Sequence, residues 1–336
     1  MKFWNRVKIV EKPIDLEHES FSRPTLVYLL GAGASKDAGF PICADLKSTE
    51  FVAPYLTGMS AEAQSAFDWL KDQEESFEVL LSRLVETEDA SGIARILSFY
   101  EEIFVKAETY SSNFDQWSYL FKLIICSVFN PMGTHPVFIT FNHDLILEYG
   151  SNENRRYNYG TLTNKLYCRD GQLPDLYEPG YDLTILKMHG SFNMLACDKC
   201  ERIMSWHDYT WQWKNSPCSA CDDGTLLPLY IPPTPFKKYD PLKDTWADAK
   251  SALRRAAFVI VIGYSLPEYD HHAITLLHET NPDAELVVID KYATDIASRY
   301  AQFPPVDKFF RSTSAKEFCD ELFEGKDPAR HFIRFW

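Results

Sequence analysis

Five short apolar runs lie along the chain, each bounded by small or polar residues. Runs this short and rich in Val, Ile and Leu are typical of parallel strands that are covered on both faces. Because such strands alternate with helices, they predict a doubly wound parallel α/β sheet. The predicted strands are Leu26–Leu30, Val137–Phe141, Leu183–Met188, Phe258–Ile262 and Leu286–Ile289.

The stretch between the first two predicted strands has apolar residues at spacings of three and four. This spacing predicts amphipathic helices over Ala61–Leu70, Phe77–Val85 and Ile93–Val105, forming a helical subdomain beside the sheet. The apolar stripe on these helices is more extensive than packing against one face of the sheet needs. It either closes the core of the subdomain or forms a self-complementary oligomer surface. The stripe consists of Phe67, Leu70, Phe77, Leu80, Leu81 and Leu84.

Composition narrows the class of protein. The 336 residues are 46% hydrophobic and 24% charged, an ordinary globular balance. The formal net charge of −14 makes direct nucleic-acid binding unlikely, because such binders usually carry a basic footprint. No apolar run is long enough to span a bilayer, and residues 1–22 lack a secretory signal. We therefore expect a cytoplasmic protein that does not associate with a membrane.

A glycine-rich turn follows the first predicted strand directly, at Gly31-Ala32-Gly33-Ala34-Ser35. Glycines at such a turn let the backbone bend sharply and let a pyrophosphate approach, while N–H groups at a helix start attract the anion. The spacing is not the standard dinucleotide-binding pattern. A tight strand-to-helix turn that binds no ligand is the alternative.

Polar residues follow the other predicted strands, and ligands of open α/β sheets bind beyond the carboxyl ends of strands. Each residue alone has an ordinary explanation, such as a helix cap for Asn142 or Asp144 and a structural role for His189. Their convergence on one edge, together with the glycine turn, predicts a nucleotide site. The segments are Asn142-His143-Asp144, His189-Gly190-Ser191, Gly263-Tyr264-Ser265 and Asp290.

Two Cys-x-x-Cys pairs lie 17 residues apart in the insertion Cys197–Gly224. Four thiolates at this spacing predict a tetrahedral zinc site, and a redox pair is the weaker alternative. With four protein ligands no coordination position stays open for water, so the metal should be structural. The predicted ligands are Cys197, Cys200, Cys218 and Cys221.

These segments resemble signatures of the sirtuin superfamily, in family order from residue 26 to residue 290. The turn at 31–35 with Gly39-Phe40-Pro41 is similar to the first signature. Thr140-Phe141-Asn142-His143-Asp144 is similar to the second, and His189-Gly190 to the catalytic pair. Gly263-Tyr264-Ser265-Leu266-Pro267 resembles a segment that contacts the cofactor, and Asp290 falls where relatives often carry an Asn near the adenine ribose.

The chain also departs from the protein-deacylating members of that superfamily. They follow the first signature with Asp-Phe-Arg, whereas Ile42-Cys43-Ala44-Asp45-Leu46 stands here. Three segments look more like SIR2-like bacterial proteins, a branch that commonly degrades NAD during defence against phage. They are Phe40-Pro41 with Ala44-Asp45-Leu46, the helix start Ser76-Phe77-Glu78-Val79-Leu80, and Tyr230-Ile231-Pro232-Pro233. The resemblance implies NAD as substrate.

The resemblance further implies a division of the chain and a set of NAD-contacting residues. A Rossmann-like NAD-binding domain takes residues 24–50, 134–196 and 225–320, a helical insertion takes 51–133, and a zinc-ribbon module takes 197–224. Asn142 and His189 are the expected catalytic residues. The expected cofactor-binding residues are Gly31, Ala32, Gly33, Ser35, Phe40, Pro41, Asn142, Asp144, Gly263, Ser265 and Asp290.

Three functions remain open at this point. The first is an NAD⁺ hydrolase, in which Asn142 orients the ribose and a water and His189 acts as general base. The second is an NAD-dependent protein deacylase, which the missing Asp-Phe-Arg disfavours. The third is a non-catalytic sensor of NAD or ADP-ribose. Because free NAD⁺ hydrolysis harms the cell, control by homo-oligomerisation or by a regulatory partner such as an ATPase is expected.

Overall fold

The computed structural model describes residues 25–110, 114–128, 135–151, 157–167, 183–205, 214–221, 223–231, 240–268, 270–305 and 307–324. Its strands, in chain order, are β1 (Thr25–Leu30), β2 (Pro136–Thr140), β3 (Tyr157–Asn158), β4 (Leu166–Tyr167), β5 (Leu183–Lys187), β6 (Gly190–Cys197), β7 (Ile203–Ser205), β8 (Leu226–Tyr230), β9 (Ala256–Ile262), β10 (Glu285–Asp290) and β11 (Lys308–Ser312).

The larger sheet has seven parallel strands in the order β11-β10-β9-β1-β2-β5-β3. All five predicted strands belong to it, and the predicted doubly wound α/β class is confirmed. The order reverses around β1, since the chain builds one half of the sheet through β2 and returns to build the other through β9. Ligands of such sheets bind outside the carboxyl ends of strands near the reversal. The apolar runs did not predict β3, which is only two residues long, or β11, a partly exposed strand at the sheet edge.

Helices cover both faces of this sheet, because each central strand is apolar on both sides. In β1, Leu26, Tyr28 and Leu30 enter one core, whereas Val27 and Leu29 enter the other. The helices are α1 (Ala32–Lys36), α2 (Thr49–Leu56), α3 (Ala61–Lys71), α4 (Phe77–Glu86), α5 (Ala90–Tyr110), α6 (Phe114–Val128), α7 (Ile146–Ser151), α8 (Lys243–Arg254), α9 (His271–Leu277), α10 (Ala293–Tyr300) and α11 (Ala315–Phe323).

The helices α2 to α6 lie between β1 and β2 in the chain. Three of them, α3, α4 and α5, are the helices that the apolar spacing predicted. Ser60 and Ser76 start α3 and α4 by accepting hydrogen bonds from backbone N–H groups of the first turn. The six stripe residues are at most 3% exposed and pack together inside the chain. The interpretation that they form an oligomer surface is therefore wrong, because no part of the stripe remains for a second copy. No described helix is both long and apolar enough to span a bilayer.

A second sheet of four strands, in the order β4-β7-β6-β8, carries the cysteines. It extends beyond residues 197–224 on both sides, because β6 begins immediately after His189 and pairs with β8 in antiparallel fashion. The strand β6 therefore joins the carboxyl edge of the larger sheet to the first cysteine pair. The sequence could not show that β6 links the two regions, since the spacing of the cysteines indicates only the loops that carry the ligands.

Candidate active site and candidate zinc centre

A cavity opens beyond the carboxyl ends of β1, β2 and β5. The glycine turn, the segment after β2 and the residue after β5 meet there, as the polar strand ends predicted. Seven of the predicted site residues line it: Ala32, Ser35, Phe40, Pro41, Asn142, Asp144 and His189. The remaining lining residues are Cys43, Leu46, Tyr100, Phe104, Phe141 and His143.

Gly31 and Gly33 serve a contact between two turns of the protein. A Cβ on Gly31 would lie 2.6 Å from the carbonyl oxygen of Gly263, and one on Gly33 would lie 2.9 Å from the same oxygen. Gly263 itself has φ +61° and leaves no room for a side chain, since its Cβ would lie 2.2 Å from the nitrogen of Ala34. The N–H of Gly33 donates to the Gly263 carbonyl at 2.9 Å. These glycines are thus explained by close backbone packing, and Gly31 and Gly33 do not line the cavity.

Asn142 is fixed by two hydrogen bonds from its side-chain nitrogen. Nδ2 donates to the carbonyl oxygen of Gly31 at 2.8 Å and to Oγ of Ser35 at 2.9 Å. Because the Gly31 oxygen can only accept, it decides which end of the amide faces the turn. Oδ1 is left as the available atom, and within the described residues it has no hydrogen-bond partner. The amide therefore presents a hydrogen-bond acceptor at the cavity.

Asp144 holds the turn and the next helix together. Its Oδ2 accepts from Ser35 Oγ at 2.7 Å, and its Oδ1 accepts from the backbone N–H of Ile146 at 3.2 Å in the first turn of α7. The residue is 5% exposed. Asp144 thus makes the helix-start contact that the ordinary interpretation expects, and it also supports Ser35, which in turn contacts Asn142.

His143 has both ring nitrogens engaged. Nε2 lies 2.9 Å from the backbone carbonyl of Ile231, which can only accept, so Nε2 carries the proton. Nδ1 lies 2.9 Å from the hydroxyl of Tyr100 and must accept from it in the neutral ring. Burial raises the pKa of Tyr100 well above its usual range, which keeps the hydroxyl protonated for this role. His143 is therefore held as a structural histidine at the cavity wall.

His189 follows β5 and is 5% exposed. Its ring lies 5.1 Å from the Phe141 ring and 6.1 Å from the His143 ring, measured between centroids. Its backbone carbonyl accepts from the N–H of Ile231 at 2.7 Å. Since the same Ile231 binds His143 through its carbonyl, one residue after β8 holds both histidines in place.

Gly190 explains why the chain can turn directly after His189. Its φ is +74°, and a Cβ there would lie 2.1 Å from the carbonyl oxygen of Leu229. Only glycine meets both conditions. Gly190 is therefore a structural requirement of the passage from β5 to β6.

Three predicted cofactor-binding residues lie elsewhere on the same sheet edge. Gly263 and Ser265 follow β9, and Asp290 ends β10. Asp290 Oδ1 accepts from the N–H of Tyr292 at 2.8 Å, and the Ser265 carbonyl accepts from Arg299 at 2.9 Å. None of the three lines the cavity.

The predicted site lacked several residues of the cavity wall. Tyr100 and Phe104 come from α5, in the helical insertion, and Cys43 and Leu46 come from the short 3₁₀-helix Cys43–Lys47. Helical periodicity identifies Tyr100 and Phe104 as inward-facing, but it cannot reveal that they face the strand ends. His143 follows Asn142 directly in the sequence, but its structural role is evident only from its contacts with Tyr100 and Ile231.

The four predicted zinc ligands come together at the end of the second sheet. Their sulfur atoms all lie within 4.8 Å of one another, with Cys197 to Cys221 at 3.7 Å and Cys200 to Cys218 at 3.8 Å. Zn–S bonds of about 2.3 Å in a tetrahedron place the sulfurs about 3.8 Å apart. The cluster therefore fits a structural zinc with four thiolate ligands.

Backbone N–H groups surround two of the four sulfur atoms, Cys197 Sγ and Cys218 Sγ. Burial opposes ionisation of the Cys197 thiol, but the N–H groups of Cys200 and Lys199 point at its sulfur and bring its pKa down to about 7. The N–H of Ala220 contacts Cys218 Sγ in the same way at 3.4 Å. Since zinc binds the thiolate form, the N–H groups of Cys200 and Lys199 favour the ligand state of Cys197, whereas burial raises the pKa of the Cys200 thiol.

No family model matches the sequence, and no curated protein matches it. Among solved structures, a Sir2 homologue in complex with NAD has a TM-score of 0.46 and 15% sequence identity, covering 90% of this chain and 89% of that one. A mutant Sir2 homologue with ADP-ribose has a TM-score of 0.47 and 14% identity, covering 94% and 96%. A mutant with 2'-O-acetyl-ADP-ribose has a TM-score of 0.45 and 15% identity, covering 92% and 94%.

Proposed function

We propose that the chain binds NAD⁺ at the cavity and hydrolyses its nicotinamide–ribose bond, giving nicotinamide and ADP-ribose. The observation that carries the proposal is that Asn142 and His189 line one cavity beside the glycine turn. The sirtuin-like sequence motifs that these residues belong to support NAD⁺ as the ligand. The bond breaks through an oxocarbenium-like state, because the leaving nicotinamide is already activated by its positive charge.

Asn142 is proposed to orient the ribose and the attacking water. Its Nδ2 is held by Gly31 and Ser35, so Oδ1 is the atom that accepts a hydrogen bond from a ribose hydroxyl or from water. A fixed acceptor lowers the entropic cost of aligning water with the reacting carbon. Asp144 takes part indirectly, through its hydrogen bond with Ser35.

His189 is proposed to accept the proton of the attacking water. The water oxygen bonds to the ribose carbon, the nicotinamide nitrogen leaves with the electron pair of the broken bond, and His189 takes the water proton. His143 is a poor candidate for this step, because its nitrogens are engaged with Tyr100 and Ile231. Phe141 lines the cavity and stacks on Tyr264 at 4.6 Å between ring centroids, and we propose that its apolar ring limits access of further water.

The adenine half of NAD⁺ is proposed to extend along the sheet edge. The segments after β9 and β10 lie on that edge, next to the glycine turn that Gly263 contacts. We assign Gly263, Ser265 and Asp290 to this half, and Ala32, Ser35, Phe40 and Pro41 to the part nearer the cavity. Gly31 and Gly33 contribute by shaping the turn.

The proposal is tested by incubating the purified chain with NAD⁺, with and without an acetylated peptide, and measuring nicotinamide. We expect nicotinamide release that is independent of the peptide, with ADP-ribose formed in equal amount. Release only with the peptide would replace hydrolysis by deacylation. NAD⁺ binding without release, in a folded protein, would make the chain a sensor.

The biological setting is proposed from the sequence alone. It favours a cytoplasmic enzyme of bacterial defence against phage, controlled by homo-oligomerisation or by a partner such as an ATPase. The buried stripe of the helical insertion supplies no surface for such assembly. Light scattering and NAD⁺ turnover measured across one dilution series test this part. A monomer whose turnover is independent of concentration would contradict control by self-assembly.

A further inference from the structure

A charged pair is buried directly beneath the candidate active site. Lys187, the last residue of β5, places Nζ 3.2 Å from Oε1 of Glu148 on α7, and the two side chains are 1% and 3% exposed. Lys187 shares a sheet face with Leu183 and Ile185, which both belong to the apolar core. Because burying two charges is costly, and well-packed apolar residues often stabilise as much or more, the pair calls for an explanation other than stability.

The ammonium group of Lys187 also contacts the loop that carries Asn142. Nζ donates to the backbone carbonyl of Asp144 as well as to Glu148. On the far side of the pair, the hydroxyl of Tyr159 donates to Glu148 Oε1 at 3.0 Å. The charge of Glu148 thus keeps the ammonium in place, while the ammonium fixes the backbone of Asp144.

Two further hydrogen bonds connect Asp144 with Asn142 at the cavity. Its carboxylate accepts from Ser35 Oγ at 2.7 Å, and Ser35 Oγ accepts from Asn142 Nδ2 at 2.9 Å. Asp144 is therefore held at its backbone by Lys187 and at its side chain by Ser35. An unbroken series of contacts leads from the buried pair to the amide whose Oδ1 is available at the cavity.

We propose that Lys187 is a positioning residue for Asn142, with Glu148 as the counter-ion that holds its ammonium group. The effect on turnover rests on the proposed NAD⁺ hydrolysis. When the contact with the Asp144 carbonyl is lost, the loop relaxes and Asn142 Oδ1 moves from its alignment. Displacements of about 1 Å far from the reacting atoms can lower rates about 100-fold.

The test uses a double variant, Lys187→Met with Glu148→Gln, which removes both charges at nearly constant side-chain length. The double variant leaves no unpaired buried charge and is expected to fold. The matched control is Tyr159→Phe, which removes a hydrogen bond to the same Glu148 oxygen but keeps the contact of Lys187 with Asp144. We expect kcat to fall about 100-fold in the double variant and KM to change less than about 3-fold, with the control close to wild type.

A second readout is independent of turnover. The side-chain amide of Asn142 gives a ¹H–¹⁵N signal, identified by its loss in Asn142→Asp, and we expect it to shift in the double variant but not in Tyr159→Phe. If wild type releases no nicotinamide, the proposed hydrolysis fails and this signal alone decides the positioning role. An unchanged Asn142 signal in the double variant, unchanged kcat, or an equal loss in the control would overturn the inference.

Discussion

The candidate active site and the cysteine cluster are built in similar ways, although the first joins distant parts of the chain and the second lies within Cys197–Cys221. In both, backbone groups and close turns fix polar side chains before any ligand arrives: Gly31 and Ser35 hold Asn142, and the N–H groups of Lys199 and Cys200 face Cys197. The two regions differ in what surrounds their polar side chains. The four sulfurs lie close to one another, whereas Asn142, whose Oδ1 has no hydrogen-bond partner among the described residues, lines a cavity together with His189.

This difference indicates that the cysteine cluster stabilises the fold, whereas the cavity can catalyse a reaction. A closed set of four ligands leaves no position for water or substrate, so its loss should affect folding. An available acceptor and an imidazole on one cavity wall can orient and deprotonate a small molecule, so their loss should affect rate.

The largest effect is expected at the closed centre. Cys197→Ser removes one of four ligands, and zinc content should fall from about one equivalent per chain to nearly none, with aggregation or loss of the second sheet. Elemental analysis and circular dichroism measure this. Cys126→Ser, at an isolated half-buried cysteine, is the control and should keep its zinc. Less than about half an equivalent in gently purified wild type would count against the zinc assignment.

At the open centre, the largest effect is expected from His189→Ala. Loss of a general base lowers nicotinamide release by about 10²–10⁴-fold, while the melting temperature should stay close to that of wild type. The exposed His271→Ala on α9 serves as the control and should be fully active. Unchanged turnover in well-folded His189→Ala would remove His189 from the mechanism.

Asn142→Ala should reduce turnover about 100-fold while weakening NAD⁺ binding much less. Its proposed role is alignment through Oδ1, and most of the binding energy comes from elsewhere in the site. Calorimetry and initial rates on the same preparation give both values. If binding falls in proportion to rate, Asn142 binds the substrate and does not align it.

The sequence predicted the central strands, because their buried runs are unambiguous. It also predicted that polar strand ends share one edge of the sheet, although Gly263, Ser265 and Asp290 do not line the cavity. It assigned Gly31 and Gly33 to a ligand and could not show that Gly263 takes their side-chain space, because this contact joins turns that are more than 200 residues apart. The position of Lys187 was visible in the sequence, because a charged residue stands there among the apolar residues of a strand. Its partner Glu148 could not be predicted, since Glu148 lies on a helix whose orientation only the fold defines.

The smallest effect is expected from Tyr100→Phe, which removes the hydrogen bond to His143 Nδ1. A buried acceptor left unsatisfied costs about 1–3 kcal/mol of unfolding free energy, measurable by urea denaturation. Turnover and its pH profile should change little, because His143 supports the cavity wall and takes no proton from water. A shifted pH profile would instead assign proton transfer to His143.

The most direct test of the contrast is hydrogen–deuterium exchange of the zinc-loaded chain with and without ADP-ribose. We expect slower exchange in peptides covering residues 31–45, 139–147 and 186–192, since a bound ligand suppresses local opening of the cavity wall. Peptides covering 195–205 and 214–226 should exchange equally with and without the ligand. Protection confined to the cysteine-bearing segments, or no protection of the cavity segments at saturating ADP-ribose, would contradict this expectation.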